Sequence, residues 1–581
     1  MSDDPTSEFI RRCRHGFIAV GVASALVNIL YLTGSFFMLQ VYDRVIPSRS
    51  VASLVALAVL AVFLYLFQAA FDVARSRLLV RIAGVFDEVT ARRIFRATVQ
   101  SALRTKANGD GLQLLRDFDQ IRTFLSTSGP ATLFDLPWIP LYVAICFLFH
   151  PIIGIMTICG GAILALLTFA ANHSTQNSSK KIFEAGSGRT AALQAAQRNA
   201  EVVHALGMSE ALSERWLVQN DAYRAAYQHN SDVANTYSAF SKVFRLVLQS
   251  AVLAAGAVLV IENQASGGII IASSILTSRA LAPVEQAIAN SRGYAATLQA
   301  WKRLRELLKA FPPSPFPLLL PAPKRTLSVE GLVSGAPGQN QPLLSGISFT
   351  VHAGSAVGVV GPSASGKSTL ARTLTGVWPI YRGNIRLDGA ALDQWDDVEI
   401  GSHIGYLPQD IELFSGTVAD NISRFQRNAS ADDIIDAATA AGVHDLILRL
   451  PKGYETEIGA GGSMLSAGQR QRIALARALF GNPFLVVLDE PNSNLDAEGE
   501  AAVAAAIVGV RNRGGIVIVV AHRPSAMSGV DYVLMLKDGQ MHMFGRKEDV
   551  LNSILRRQVR SVTVERGSAL KVVDAVEEQQ E

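Results

Sequence analysis

Charge is scarce in this chain of 581 residues: Asp, Glu, Lys and Arg make up only 18% of it, against roughly 25% in an average soluble domain. Hydrophobic residues reach 49% and mean hydropathy is positive at +0.26, so part of the chain belongs in lipid. The formal net charge of +4 is small for this length, which argues against nucleic acid as the main partner. Cysteine is scarcer still. Cys13, Cys146 and Cys159 show no C-x-x-C and no metal-ligand spacing with histidine. Their odd number gives no disulfide framework, and packing is the role expected of them. No cleavable leader is expected either: Arg11, Arg12 and Arg14 precede a long apolar run without a small-residue cleavage site, the pattern of an uncleaved first membrane span. What remains is a chain too long for one hydrophobic core, so at least two domains are expected.

The apolar runs fill the first half. Gly16 to Tyr42 and Val51 to Phe71 contain no charged residue, and each is long enough to cross a bilayer as a helix, which takes about 20 residues. Leu136 to Ala171 is also free of charge and is interrupted only by His150 and Pro151, which suit a tight turn between antiparallel spans. Leu246 to Ile261 and Asn263 to Ser278 form a shorter pair, with Glu262 and the Gly267-Gly268 pair marking the turn. Six spans follow, near residues 16–42, 51–71, 130–149, 151–171, 243–262 and 264–285. Lys and Arg accumulate on one side of them, in the N-terminal flank and the stretches 72–128 and 172–243, whereas the other side holds only Arg44 and Arg49. That asymmetry places the N-terminus, both long loops and the C-terminal half in the cytoplasm. The two loops carry helical rather than Gly/Ser linker composition, so the spanning helices are expected to continue beyond the membrane.

The membrane domain is assigned to residues 1–310. Residues 311–324 read FPPSPFPLLLPAPK, too proline-rich for helix or sheet interior, and serve as a linker. From 325 to about 560 short β-like runs alternate with helical ones, the mark of an α/β domain. The polar stretch 561–581, ending EEQQE, is expected to be disordered. Within the α/β part, SFTVHAGSAVGVVG runs as a strand into GPSASGKST, a phosphate-binding loop pattern without a gap. Gly361, Pro362, Ser363, Ala364, Ser365 and Gly366 would wrap backbone N–H groups around phosphate oxygens. Lys367 would contact the β- and γ-phosphates and Ser368 a magnesium ion, with Thr369 completing the motif. Downstream, FLVVLDE (Phe484 to Glu490) reads as a buried parallel strand that ends in two carboxylates. Asp489 can hold magnesium through water, and Glu490 is placed to polarise the attacking water.

A third segment narrows the class. MLSAGQRQRIALARAL (Met464 to Leu479) resembles the signature sequence of ATP-binding cassettes. Ser466, Gly468 and Gln469 lie at the start of a helix, where a hydroxyl, backbone N–H groups and the helix dipole can meet a phosphate. The resemblance implies that this phosphate belongs to nucleotide held by a second copy, hence a homodimer working on ATP and Mg2+. It further implies that Gln409 in YLPQD senses the magnesium, that Ser493 to Asp496 (SNLD) forms a dimer-contact loop, and that His522 in VVAHRP is a switch residue near the γ-phosphate. Catalytic roles are thus expected for Glu490, His522 and Lys367. Three positions depart from the pattern. Ala336 stands where such cassettes commonly place an aromatic residue against adenine, Ala467 replaces the usual signature glycine, and Ala460 occupies a frequent glutamate position. The expected fold is an all-α six-helix transmembrane domain fused to an α/β P-loop ATP-binding cassette.

The membrane half carries a narrower likeness. FMLQVYDRVIPSRS (Phe37 to Ser50), LRDFDQIRTFLSTSGPATLFDLPWIPLY (Leu115 to Tyr142) and RNAEVVHALGM (Arg198 to Met208) look like the type I secretion ATPases that export proteases, lipases and repeat-in-toxin proteins from Gram-negative bacteria. That resemblance implies a bacterial inner-membrane subunit working with a periplasmic adaptor (membrane fusion) protein and an outer-membrane channel of TolC type. The cargo would be an unfolded secreted protein with an uncleaved C-terminal signal. The first span begins near Gly16, leaving no room for the N-terminal cysteine peptidase of some relatives, so no protease activity is expected. A half-size exporter of lipid, drug or small peptide would share every cassette residue, and only the membrane segments argue against it.

Overall fold

The computed structural model describes residues 5–104, 113–312, 320–339, 341–521 and 527–553; His522 falls outside them. The chain divides into a helical unit that ends at Pro312 and an α/β unit that follows it.

Six helices of the first unit are long and apolar enough to cross a membrane: Ser7–Ser48, Val51–Arg104, Gly129–Phe149, Pro151–Arg198, Ser209–Ile261 and Gly267–Ala287. At 1.5 Å per residue the 54-residue helix Val51–Arg104 runs about 80 Å, far more than the ~30 Å hydrocarbon layer. The charged stretches beside the second, fourth and fifth spans are therefore continuations of those helices. Apolar side chains along the second span point outward, with Val55, Phe63 and Leu66 each more than half exposed, as a lipid-facing surface requires. Pro151 occupies the first turn of its helix, where no N–H is needed, and the His150 imidazole accepts from the Ile152 N–H at 3.3 Å. That pair ends one span and starts the next.

Polar contacts hold the bundle together. Asp43, in the π-helical turn Val41–Val45 near the end of the first span, accepts from Ser266 Oγ at 2.6 Å and from the Gly268 N–H at 2.7 Å. It thereby caps the helix Gly267–Ala289, whose free N–H groups favour a carboxylate. A Cβ at residue 268 would lie 2.7 Å from Asp43 Oδ1, so glycine is needed there. Deeper in the bundle Asp135 accepts from Arg75 Nη1 at 2.9 Å and Asn28 Nδ2 at 2.7 Å. Tyr142 donates its hydroxyl to Asn28 Oδ1 at 2.9 Å, and Arg75 also reaches Asp72 Oδ1 at 2.6 Å. One buried network thus ties the first three spans. Nearer the end of the unit, Arg303 makes a two-pronged ion pair with buried Asp117, at 2.7 and 2.6 Å, joining Gln113–Ser126 to Ser291–Ala310.

In the α/β unit a six-stranded sheet runs in the order Gln540–Arg546, Tyr532–Lys537, Ala356–Val360, Ile516–Val520, Leu485–Asp489, Ile404–Leu407. All neighbours are parallel except the first pair. The runs LVVLD and IVIVV are fully buried because they are central strands covered on both faces. Successive side chains go to opposite sides: Val486, Leu488, Val517 and Val519 pack with Ile473 and Val503, while Leu485, Val487, Ile516 and Ile518 pack with Leu370 and Leu374. A four-stranded antiparallel sheet, Leu344–His352, Thr326–Ser334, Ile380–Leu387, Ala390–Ala391, packs on the second side.

Candidate nucleotide-binding site

The phosphate loop joins the strand Ala356–Val360 to the helix Lys367–Leu374. Gly366 has φ 92°, which favours glycine, and a Cβ there would lie 2.7 Å from Leu344 Cδ2. Pro362, Ser363 and Ala364 form the exposed crest of the loop, and Ser365 and Lys367 are buried. Ser365 Oγ is buried without a hydrogen-bond partner. Lys367 donates to the carbonyls of Gly361 at 3.0 Å and Pro362 at 2.8 Å. Burial pushes the lysine pKa below its ordinary value, opposed by the charges of Glu490 and Asp489, and a partly desolvated cation gains strongly from an incoming phosphate. Thr369 is buried, with its carbonyl accepting from Thr373 Oγ1.

The acid pair sits at the end of the strand Leu485–Asp489, beside the loop. Asp489 is 1% exposed; its Oδ1 accepts from Ser368 Oγ at 3.1 Å, and its Oδ2 has no hydrogen-bond partner. Burial raises the Asp489 pKa above the ordinary carboxylate value, against the bond from Ser368. Glu490 turns the chain with φ 52°, anchors its N–H on the Val520 carbonyl at 3.0 Å, and accepts from Gln409 Nε2 at 3.2 Å. Gln409 follows the strand Ile404–Leu407. Loop lysine, hydroxyl, two carboxylates and amide therefore converge at the C-terminal edge of parallel strands, where α/β sheets bind ligands.

Residues 344–493 match the family model described as ABC transporter, and residues 17–283 match ABC transporter transmembrane region. The type I secretion system ATP-binding protein PrsD of Rhizobium meliloti (strain 1021) is 62% identical over 570 residues, 98% of this chain and 97% of that protein. The chain belongs to the ABC transporter family. This transporter is also 26% identical to the cyclolysin secretion/processing ATP-binding protein CyaB of Bordetella pertussis (strain Tohama I), over 93% of this chain and 76% of that one. The toxin RTX-I translocation ATP-binding protein of Actinobacillus pleuropneumoniae is 26% identical over 92% and 76%. Its fold is shared with a bacterial Atm1-family ABC exporter solved with ATP bound, at TM-score 0.81 and 22% identity, covering 96% of this chain and 99% of that one. It is a multi-pass membrane protein that binds nucleotide and couples ATP hydrolysis to transport.

The signature residues of the transporter form a helix start, not part of the convergence just described. Ser466 is the N-cap of Ala467–Leu479: its hydroxyl accepts from the Gln469 N–H at 3.2 Å, and Gln469 Oε1 accepts from the Ser466 N–H at 2.9 Å. That reciprocal pair is a capping box, readable in the spacing S-x-x-Q. Gly468 passes close to Asn494, whose carbonyl would lie 3.1 Å from a Cβ there. Asp496 caps the helix Ala497–Asn512, accepting from the Gly499 N–H at 2.9 Å and from Arg472 Nη2 at 2.6 Å. Those two bonds, the backbone one first, lower its pKa. The geometry of Asp496 is thus that of a cap and an ion-pair partner.

Two residues escaped the sequence reading. Tyr381 donates to the carbonyls of Ala336 at 3.1 Å and Gln339 at 2.6 Å, pinning the loop that lacks its aromatic. No spacing signals this, because it depends on the register that pairs Ser334 with Ile380. Gln471, in the signature helix, bonds the backbone after the acid pair.

Proposed function

We propose that this ABC transporter is the inner-membrane ATPase and permease subunit of a type I protein secretion system. Working as a homodimer with its cassette in the cytoplasm, it hydrolyses ATP with Mg2+ to export an unfolded polypeptide bearing an uncleaved C-terminal signal. A periplasmic adaptor and an outer-membrane channel complete the path. The observation that carries this reading is the 62% identity to a type I secretion ATP-binding protein over 98% of the chain. It runs through the membrane half as well as the cassette, and the membrane half is where one exporter differs from another in what it moves.

This reading gives each site residue a role. The N–H groups of the loop and of the first turn after Gly366 bind phosphate oxygens, and Lys367 exchanges its two loop carbonyls for the β- and γ-phosphates. A magnesium ion fits the orphaned Asp489 Oδ2 beside the Ser368 hydroxyl, because a buried, unpartnered carboxylate oxygen is the donor a hard cation takes. Gln409, which donates to Glu490, would join Ser368 and Asp489 around the ion. When bound, the ion neutralises charge that develops on the phosphates. Glu490 accepts a proton from, or polarises, the attacking water, and His522, which lies outside the described residues, takes the role of γ-phosphate switch from the family resemblance alone. Ser466, Gly468 and Gln469 of one copy, with the Asp496 loop, face the nucleotide of the other.

Export gives the direct test. Deleting the chain from its host is expected to remove at least one protein from the culture medium, and supplying the natural chain is expected to restore it while Lys367→Ala does not. Unchanged secretion profiles together with altered membrane lipid would overturn the proposal.

A further inference from the structure

The signature helix is fastened from behind to the segment that carries the catalytic acid, and the side chain of Gln471 makes three of the bonds. Gln471 is 1% exposed. Its Nε2 donates to the Pro491 carbonyl and, at 3.5 Å, to the Glu490 carbonyl; its Oε1 accepts from the Asn494 N–H at 3.1 Å. The donors and acceptor of this amide are thus spent on one five-residue stretch, Glu490 to Asn494. That stretch begins in an unfavourable conformation, since Glu490 holds φ 52°, which a non-glycine residue adopts only where its surroundings enforce it. The next residue on the helix extends the grip: Arg472 pairs with Asp496 at 2.6 Å and with Glu498 at 3.4 Å. Backbone contact is close at the tip, where Gly468 leaves room for the Asn494 carbonyl.

We infer that Gln471 is a positioning residue for hydrolysis: it transmits a displacement of the signature helix to the backbone of Glu490. The inference rests on the reading that the Ser466–Gly468 tip receives the nucleotide of a second copy. Under that reading the tip and the acid belong to different ATP sites, and Gln471 is a direct side-chain link from the signature helix to the acid-bearing segment within one cassette. Occupancy of one site then sets the carboxylate geometry of the other. A buried glutamine could instead serve only to satisfy loop backbone groups. The two roles differ in what they do to turnover and to binding.

The test uses the full-length chain in lipid. Gln471→Leu keeps the volume and removes all three hydrogen bonds; it is expected to lower kcat at least tenfold while the affinity for a fluorescent ATP analogue changes less than threefold. Gln471→Glu adds a titration. Its ionised carboxylate can accept from Asn494 but cannot donate to the Pro491 carbonyl, whereas its protonated form does both. The kcat ratio of this variant to the natural chain is therefore expected to rise as pH is lowered, a profile that a fold-only role would not produce. Unchanged kcat in Gln471→Leu overturns the inference, and so does a loss of ATP affinity and thermal stability with a pH-independent ratio in Gln471→Glu. Neither outcome touches the nucleotide-site reading, which fails separately if Lys367→Ala hydrolyses ATP at the natural rate.

Discussion

Glu490→Gln is expected to cut steady-state ATP hydrolysis by roughly 100-fold or more, the usual range for removing a positioned general base, while ATP still binds. The substitution preserves size and keeps an acceptor oxygen for Gln409, so the contact at 3.2 Å can persist. It leaves intact the loop, Lys367 and the Ser368–Asp489 bond that hold phosphate and cation. What disappears is only the charge that draws a proton from water. Hydrolysis and nucleotide affinity measured on the same preparation distinguish this from a binding defect: kcat collapses and affinity does not. A variant that turned over ATP at an undiminished rate would remove Glu490 from the chemistry.

The second large effect lies in the bundle. Arg75 and Asp135 are about nine-tenths buried; Asp135 also accepts from Asn28, which Tyr142 holds in turn, and Arg75 also pairs with Asp72. Asp135→Ala leaves the Arg75 guanidinium buried with less compensation, and breaking a buried pair by deleting one partner costs about 3–5 kcal/mol. Thermal unfolding in detergent is expected to drop accordingly. The double replacement Arg75→Met with Asp135→Leu removes both charges, so most of that loss is expected to return. Equal damage from single and double variants would mean that the pair does not carry the coupling.

These two cases mark what the sequence could and could not disclose. Local patterns were readable because they depend on neighbours: charge-free apolar runs gave six spans, and a strand leading into GPSASGKST, with MLSAGQRQRIALARAL downstream, gave the cassette. The capping box at Ser466 is equally local, although the sequence reading weighed that serine only as a phosphate contact. Contacts across the fold were not readable. Arg75 and Asp135 stand 60 residues apart, Asp43 and Gly268 stand 225 apart, and no periodicity links either pair. Tyr381 and Gln471 were hidden for the same reason, since a sheet register and the packing of a helix on the sheet bring them to their loops. Asp496 shows the converse. Its motif was legible, but its side chain serves a helix end and Arg472 within its own cassette.

Mixing two defective chains tests the central claim most directly. Lys367→Ala disables the phosphate loop of one copy, and Ser466→Arg blocks the helix tip of the other. If each ATP site is built from the loop of one chain and the tip of its twin, a mixed dimer keeps one site free of both defects. The account predicts that each variant alone hydrolyses almost no ATP and that mixing restores a partial rate, at most half of the natural one. Full activity of Ser466→Arg by itself, or ATP turnover by a monomer separated from its twin, would contradict it.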